Sequence, residues 1–374
     1  MTRTPAAELA QAARDGLLRK LHPLESAHSA RVIRNGRELW NFASNDYLGL
    51  ARHPRLAEAF IDGIRRWGAG SSASRLVTGT QPPHISLEEE LAAAKQSDAA
   101  LVFPSGFTTA LGVIPALAGK DDFIVADKLC HASLIDAARL SGATLRVFPH
   151  NDAKKAGTLL AAIRLKHASA RILLVTESVF SMDGDLCPLR ELCDIAETHD
   201  AHILLDEAHG FGVLGESGMG LAEQLGVQQR VTFQMGTLSK AAGLAGGYVA
   251  ASREWIDLLV NRSRAFIYTT APPPALACAA REALHIIRSD EGKQLRTALH
   301  ANARILSPAV RSAIVPVVFG SNDRALAAAA KLEQHGFLVP AIRYPTVARG
   351  SARLRISVSA AHPAAAVKEL TELI

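Results

Sequence analysis

Short apolar runs that alternate with helical stretches between residues 100 and 251 constrain the fold more than any other feature of this sequence. Amphipathic segments such as HASLIDAARL and PLRELCDIAETH lie between most of the runs. Strands that are joined through helices form parallel pairs, and a parallel sheet is covered on both faces. The sequence therefore predicts an α/β fold with a mainly parallel central sheet flanked by helices. The runs are ALVF (100–103), FIVA (123–126), TLRVF (144–148), RILLVT (171–176), HILLD (202–206), VTFQM (231–235) and GYVAA (247–251).

The two ends of the chain follow other patterns. Residues 5–21 predict one amphipathic helix, and Asn35-Gly36 between two strand-like runs predicts a type I′ hairpin. After three prolines (272–274) come long Ala-rich helices and strand-like runs at 313–319 and 352–359, which indicate a smaller α+β unit. The expected domains are an N-terminal helix and hairpin segment (1–38), a large α/β domain (39–280) and a small C-terminal α+β domain (281–374).

The composition excludes several classes of protein. Of the 374 residues, 48% are hydrophobic and 21% are charged, which is typical of a folded chain rather than a disordered one. The 41 Lys and Arg against 36 Asp and Glu give a net charge of +5 without a polybasic block. This pattern argues against a nucleic-acid partner and suits small anions or an acidic carrier.

Neither a membrane span nor a metal site is expected. Leu101 to Gly119 is uncharged, but its prolines at 104 and 115 favour a strand, a turn and a buried helix. The N-terminus lacks an apolar signal core, and the four cysteines form no CxxC pair. We therefore expect a cytoplasmic protein with reduced cysteines, no metal and no membrane partner.

The segment FPSGF (103–107) ends a strand and opens a helix. Backbone N–H groups at such a helix start bind anions, typically phosphate. An ordinary strand–helix turn is the alternative if this segment is taken alone.

Two further motifs follow strand-like runs. Asp206 ends the run HILLD and His209 comes three residues later, at the sheet edge where α/β proteins bind ligands. A carboxylate there suits a protonated ring nitrogen, and a buried salt bridge is the alternative. His131 marks a candidate helix start, where imidazole can stack on a flat ring or transfer protons. A capping or core histidine is the competing interpretation.

Lys240 is the one charged residue between Arg230 and Arg253, in the loop GTLSKAAG (236–243). Partial burial would lower its pKa and make it a nucleophilic amine. Thr237 could supply a hydroxyl to a phosphate. A surface lysine is the alternative, which the uncharged surroundings weaken.

One economical explanation joins these parts. A phosphate cradle, a carboxylate for a ring nitrogen, a stacking histidine and a reactive lysine are what pyridoxal 5′-phosphate needs. The rival is a nicotinamide dehydrogenase, because GFGVLG (210–215) matches GxGxxG. The following ESGMG does not predict the helix that a dinucleotide site requires, so this rival is disfavoured.

The motifs together resemble the α-oxoamine synthases, which join an amino acid to an acyl thioester with loss of CO2. The resemblance implies a pyridoxal-phosphate-dependent transferase of fold type I, a homodimer and an acyltransferase activity. The motifs that carry it are NFASNDYLGL (41–50), GSSASRLVTGT (70–80), HASL (131–134), SVFSMDGD (178–185), DEAHGFGVLG (206–215), GTLSKAAG (236–243) and AIRYPTV followed by ARLRIS (341–357).

Site residues follow from the resemblance position by position. Lys240 would bond to the cofactor's aldehyde carbon, Asp206 would pair with the pyridinium nitrogen, and His131 would stack on the ring. The remaining cofactor contacts would come from Gly106, Phe107 and Thr237 at the phosphate, Ser181 and His209 at the phenolic oxygen, and Thr269 or Thr270 at the neighbouring subunit's phosphate. The expected substrate-binding residues are Asn45, Arg343 and Arg355 for carboxylates and Arg19 for the acyl chain.

Within this family, SRLVTG, DEAHG and AIRYPTVARGSARLR most resemble enzymes that condense L-alanine with pimeloyl-CoA or pimeloyl-ACP for biotin synthesis. Relatives that use glycine or serine remain an alternative, as does a non-catalytic protein that kept the fold. Two residues depart from the family pattern. Phe211 replaces a small hydroxyl residue and Met219 replaces a common arginine. The choice of Arg355 over Arg353, on the same strand face, rests on the family pattern.

Overall fold

Seven strands form the central sheet in the computed structural model, which describes residues 4–374. Their order is β3-β9-β8-β7-β6-β4-β5, and every neighbouring pair is parallel except the two that involve β9. The expected mainly parallel sheet is therefore confirmed. The strands of the protein are β1 (Arg31–Arg34), β2 (Arg37–Asn41), β3 (Ala99–Phe103), β4 (Phe123–Asp127), β5 (Thr144–Phe148), β6 (Ile172–Glu177), β7 (His202–Asp206), β8 (Phe233–Thr237), β9 (Gly247–Ala251), β10 (Ile314–Gly320), β11 (Phe337–Leu338), β12 (Ala341–Ile342) and β13 (Ala352–Ser357).

Helices cover both faces of this sheet. Successive buried residues on one strand face opposite layers, as Ile124 and Val125 on β4 do. This double burial explains why the strands read as continuous apolar runs. The helices are α1 (Pro5–Arg14), α2 (Pro54–Trp67), α3 (Pro82–Ala94), α4 (Gly106–Leu117), α5 (Ala132–Ser141), α6 (Ala153–Lys166), α7 (Leu189–Thr198), α8 (Leu221–Gln224), α9 (Arg253–Arg262), α10 (Arg264–Ile267), α11 (Pro274–Arg288), α12 (Asp290–Leu306), α13 (Asn322–Gln334) and α14 (Ala364–Leu373).

The N-terminal segment differs in part from the expectation. A single helix over residues 5–21 is wrong, because α1 ends at Arg14 and Gly16 turns the chain with a φ of +64°. The hairpin is confirmed, with positive φ at both Asn35 (51°) and Gly36 (68°) as a type I′ turn requires. Strand β2 also pairs in parallel with β11, so the hairpin shares a sheet with the C-terminal part of the chain.

The C-terminal part contains a second small sheet in the order β10-β13-β12, with antiparallel pairs. Strands β10 and β13 lie where the sequence predicts strands, whereas β11 and β12 were not predicted because each has two residues. Strand β13 carries Arg353 and Arg355 towards the large sheet, since both contact the segment 181–183 that follows β6. Across residues 4–374, every helix is too short or too polar to cross a membrane.

Candidate active site

The carboxyl ends of four neighbouring parallel strands deliver most of the predicted site residues. Strand β4 leads to His131, β6 to Ser181, β7 to Asp206 and β8 to Lys240. Because parallel strands present their carboxyl ends at the same edge, loops far apart in sequence meet there. The structure thus brings the predicted lysine, aspartate and histidine into one cluster.

The amine of Lys240 lies within this cluster and has a neutral partner. Its Nζ is 3.0 Å from Nε2 of His209, and within residues 4–374 no carboxylate oxygen lies within 4.0 Å of it. Burial lowers the pKa of Lys240, while the charges of Asp206 and Glu177 raise it. The net direction is downward, which favours the neutral amine that a nucleophile or a base requires.

His209 connects this lysine to the N-terminal part of the chain. Its Nδ1 lies 2.6 Å from the Tyr47 hydroxyl, while its Nε2 contacts Lys240. Burial, followed by the nearby Lys240 charge, lowers the pKa of His209 well below its usual value, so the ring is neutral. Sequence reasoning missed Tyr47, although it lies within the motif NFASNDYLGL.

Asp206 is buried at the end of β7, where its Oδ1 accepts the Ala208 N–H at 2.9 Å. Burial raises its pKa, and the Lys240 charge opposes that rise. Its neighbour in register on β6 is Glu177, a second buried acid that the sequence analysis did not single out. Burial and then the Asp206 charge raise the pKa of Glu177 well above its usual value. Burial therefore favours the protonated form of Glu177 more strongly than that of Asp206.

His131 lies at the N-terminus of α5, as predicted. Its backbone N–H donates to the Glu177 carboxyl group, and its Nδ1 lies 2.8 Å from the Ser133 hydroxyl. Partial burial lowers the pKa of His131, although the Asp206 charge opposes this. The result is a neutral ring, anchored through its backbone and one nitrogen, beside Asp206 and Lys240.

The start of α4 has free backbone N–H groups beside β8. Ser105 and Thr108 cap this helix reciprocally, with each hydroxyl accepting the other's backbone N–H. A Cβ added to Gly106 would lie 3.3 Å from Thr237 Cβ, so the helix terminus packs directly against β8. The N–H groups of Gly106 and Phe107 have no acceptor within their own helix. This geometry fits a phosphate group between α4 and Thr237.

Arg355 and Arg353 project from β13 to different partners. Arg353 pairs with Asp183 at 2.6 Å. Arg355 is buried, donates to Asn45 at 3.1 Å and to the Ser181 carbonyl, and faces no carboxylate within 4.0 Å among the described residues. A buried guanidinium without a counter-ion is costly unless an anion reaches it. Arg355 is therefore the one of the two that is available to a bound carboxylate.

The other predicted substrate residues lie around a cavity of about 790 Å³. Arg19 and Arg343 line it together with Ser44, the residue before Asn45, and Arg343 also donates to the Gly16 carbonyl. Apolar residues such as Val339 complete the wall. The cavity thus combines apolar surface with positive charge.

Thr269 and Thr270 lie between α10 and α11. Thr270 is exposed and forms a β-bridge with Ser74. Within residues 4–374, neither threonine hydrogen-bonds to Lys240 or Asp206. Their predicted role towards a second subunit stays a prediction.

The two residues that depart from the family pattern, Phe211 and Met219, both lie next to a buried lysine. Lys95 donates to the Met219 carbonyl at 2.6 Å, and its Nζ lies 5.5 Å from the centre of the Phe211 ring. Phe211 also packs edge-on against Tyr248. Both residues are buried, so their side chains belong to the core.

Known proteins resemble this chain over nearly its whole length. Residues 37–374 match the family model of aminotransferase class I and II. An 8-amino-7-oxononanoate synthase from Geobacter sulfurreducens is 45% identical, with 97% of this chain and 94% of that protein covered. One from Anaeromyxobacter dehalogenans is 48% identical, with 96% and 92% covered.

A solved structure supports the same relationship at the level of fold. The serine palmitoyltransferase from S. paucimobilis, with PLP bound, superposes with a TM-score of 0.92 at 27% identity, covering 98% of this chain and 95% of that one. The predicted fold type I architecture is thereby confirmed. The chain belongs to the aminotransferase class I and II family and, within it, to the 8-amino-7-oxononanoate synthases.

Proposed function

We propose that this chain uses pyridoxal 5′-phosphate to condense L-alanine with a pimeloyl thioester, releasing 8-amino-7-oxononanoate, CO2 and the free thiol, as a step of biotin biosynthesis. The observation that carries the proposal is the Lys240 amine, which lies 3.0 Å from neutral His209 and beside buried Asp206. Full-length identity of 45% to an 8-amino-7-oxononanoate synthase supports the choice of reaction.

The described residues fit the cofactor. Asp206 would hold the proton on the ring nitrogen, and His131 would stack on the ring. The amides of Gly106 and Phe107, with Thr237, would hold the phosphate, while Ser181 and His209 would contact the phenolic oxygen. Bound there, pyridoxal phosphate supplies an electron sink for the negative charge that develops at the amino acid's α-carbon.

Lys240 serves as the base of this reaction once its amine is free. Burial lowers the pKa of Lys240, which favours the neutral amine that can accept the α-proton of L-alanine. His209 orients the amine through the 3.0 Å contact, and Tyr47 fixes the histidine in turn. The negative charge on Asp206 favours protonation of the group that it faces.

The carboxylate of the amino acid and that of the acyl chain bind to different residues in this proposal. Arg355 and Asn45 recognise the α-carboxylate of the amino acid, because Arg355 has no counter-ion of its own among the described residues. Arg19 and Arg343 lie at the cavity of about 790 Å³, whose mixed apolar and basic wall suits an acyl chain that ends in a carboxylate.

A homodimer in the cytoplasm is part of the proposal. The exposed apolar residues Leu76, Val77 and Tyr268 lie on the two segments that the Ser74–Thr270 bridge joins. Exposed apolar surface of this kind is typical of protein interfaces. A second copy seated there would bring Thr269 or Thr270 towards the neighbouring cofactor's phosphate. Size-exclusion chromatography with light scattering tests the dimer.

A glycine- or serine-using synthase is the competing function, favoured by the structural likeness to a serine palmitoyltransferase. An assay of thiol release with pimeloyl-CoA and each of L-alanine, glycine and L-serine separates the two. The proposal predicts release with alanine that exceeds the other two by at least about tenfold. Release that is faster with glycine or serine would assign the sister activity instead.

A further inference from the structure

His150 joins the carboxyl end of β4 to the loop that follows the neighbouring strand β6. Its Nδ1 lies 3.0 Å from Asp127, the last residue of β4, and its Nε2 lies 2.8 Å from Asp185. Asp185 belongs to the loop after β6, defined here as the β6 loop (residues 178–187). These three residues belong to neither the cofactor set nor the substrate set described above.

Further contacts reinforce this junction. Asp127 is fully buried, and its second oxygen accepts the Asn151 N–H at 2.8 Å. The side-chain amide of Asn151 donates to Asp185 at 2.8 Å and to the Leu186 carbonyl at 3.1 Å. The Phe180 ring meets the imidazole edge-on at a centroid distance of 4.3 Å. The contacts define one orientation of His150.

The junction is charged at neutral pH. Partial burial opposes the charge on His150, but hydrogen bonds to Asp127 and Asp185 raise its pKa to about 10. Both ring nitrogens then carry protons and donate to carboxylates. Hydrogen bonds between such charged partners are roughly twice as strong as those between neutral groups.

Each of the two joined segments carries or contacts residues of the candidate site. Asp127 is followed four residues later by His131, which is expected at the cofactor ring. The β6 loop carries Ser181, whose carbonyl accepts from Arg355, and Asp183, which pairs with Arg353. His150 therefore links the segment that leads to His131 with the loop that carries Ser181 and contacts both arginines.

We propose that His150 is a positioning residue that holds the β6 loop against the end of β4 and so fixes Ser181 and Arg355 relative to His131. The ligands of those residues rest on the proposed function. The clamp, defined here as the contacts of His150 with Asp127 and Asp185, does not. Loss of the clamp should loosen the β6 loop and weaken binding of the amino acid more than binding of the acyl thioester.

The first test is hydrogen exchange in the cofactor-free full-length protein with Asp185→Asn. This change removes one carboxylate of the clamp from a half-exposed side chain, so the fold should survive. We expect the amides of residues 179–186 to exchange at least about tenfold faster, with β4 unchanged. Asp194→Asn, which removes a surface partner of Arg230, is the matched control and should leave the β6 loop unchanged.

The second test is steady-state kinetics of the holoenzyme with His150→Asn and Asp185→Asn. We expect the KM for L-alanine to rise about tenfold in both variants, while the KM for pimeloyl-CoA changes less than twofold. The dissociation constant of pyridoxal phosphate, followed by fluorescence, should also rise because Ser181 and His131 lose their relative position. If His150→Asn fails to fold, the KM values and the cofactor affinity of Asp185→Asn still test the positioning role.

Unchanged exchange in the β6 loop would overturn the clamp whatever the reaction is. Faster exchange with unchanged KM and cofactor affinity would make the contact purely structural and would equally overturn the positioning role. If the wild-type protein turns over no amino acid, the proposed function fails, and the exchange experiment still tests the clamp.

Discussion

The Tyr47 hydroxyl lies 2.6 Å from Nδ1 of His209, so a motif near the N-terminus fixes the histidine that contacts Lys240. The same hydroxyl lies 3.1 Å from Asn45 and 3.4 Å from Arg355. One side chain thus touches both the lysine side and the carboxylate side of the candidate site. The arrangement accounts for a fully buried tyrosine at the meeting point of three distant segments.

Replacing Tyr47 by Phe tests this relationship. The ring still fills its site, but His209 and Arg355 each lose a hydrogen-bond partner. Leaving buried polar groups unpaired costs about 1–3 kcal/mol, so kcat/KM should fall by about tenfold or more. Steady-state assays of the variant and of the wild-type protein measure kcat/KM. A variant with wild-type kcat/KM would show that the contact does not contribute.

Arg355→Lys should raise the KM for L-alanine by about tenfold to a hundredfold, because a lysine cannot form the paired hydrogen bonds of a guanidinium. Arg353→Lys is the matched control on the same strand. Arg353 pairs with Asp183 and not with the substrate. We therefore expect the KM of this variant for L-alanine to stay within about threefold of the wild type. Equal effects in the two variants would contradict the assignment of Arg355 to the substrate.

Gly106→Ala should separate cofactor binding from stability. The added methyl group would lie 3.3 Å from Thr237 Cβ, within the cradle at the start of α4. We expect the dissociation constant of pyridoxal phosphate to rise about tenfold. Unfolding of the cofactor-free protein measures separately how much the tight contact with Thr237 costs in stability. Unchanged cofactor affinity would argue against a phosphate at this helix.

Protonation of His150 makes stability depend on pH with a defined sign. Its pKa is about 10 in the folded protein, above the unfolded value of 6.5, so its contribution is fully present below pH 6.5. The contribution is lost as the pH rises towards 10. Urea unfolding of wild type and His150→Asn between pH 6.5 and 10 should give a stability difference that shrinks with pH. A difference that is constant or grows would contradict the charged junction with Asp127 and Asp185.

Several residues at strand ends could be predicted from the sequence, because a buried run marks its own end. Asp206 closes HILLD, and Lys240 and His131 follow their strands within a few residues. Contacts between distant segments were not accessible. Tyr47 and His209 are 162 residues apart, and their meeting depends on how the C-terminal sheet and the hairpin pack on the central sheet.

The bounds of the strands and helices were also predicted only in part. The strands TLRVF, HILLD and GYVAA have the bounds that their apolar runs predict. The N-terminal helix was predicted too long because apolar residues continue its spacing beyond Arg14, although Gly16 adopts a left-handed conformation there. Glu177 was overlooked because it lies one residue beyond the apolar run RILLVT (171–176), and nothing in the local sequence shows that it accepts the His131 backbone N–H.

The identity of the lysine that binds the cofactor tests the proposed function most directly. Reduction of the pyridoxal-phosphate-loaded protein with borohydride, followed by peptide mass spectrometry, locates the covalent bond. We expect a phosphopyridoxyl group on Lys240 and its absence in Lys240→Ala, with thiol release from pimeloyl-CoA reduced at least about a thousandfold. A label on another lysine, such as buried Lys95, or undiminished thiol release in Lys240→Ala would contradict it.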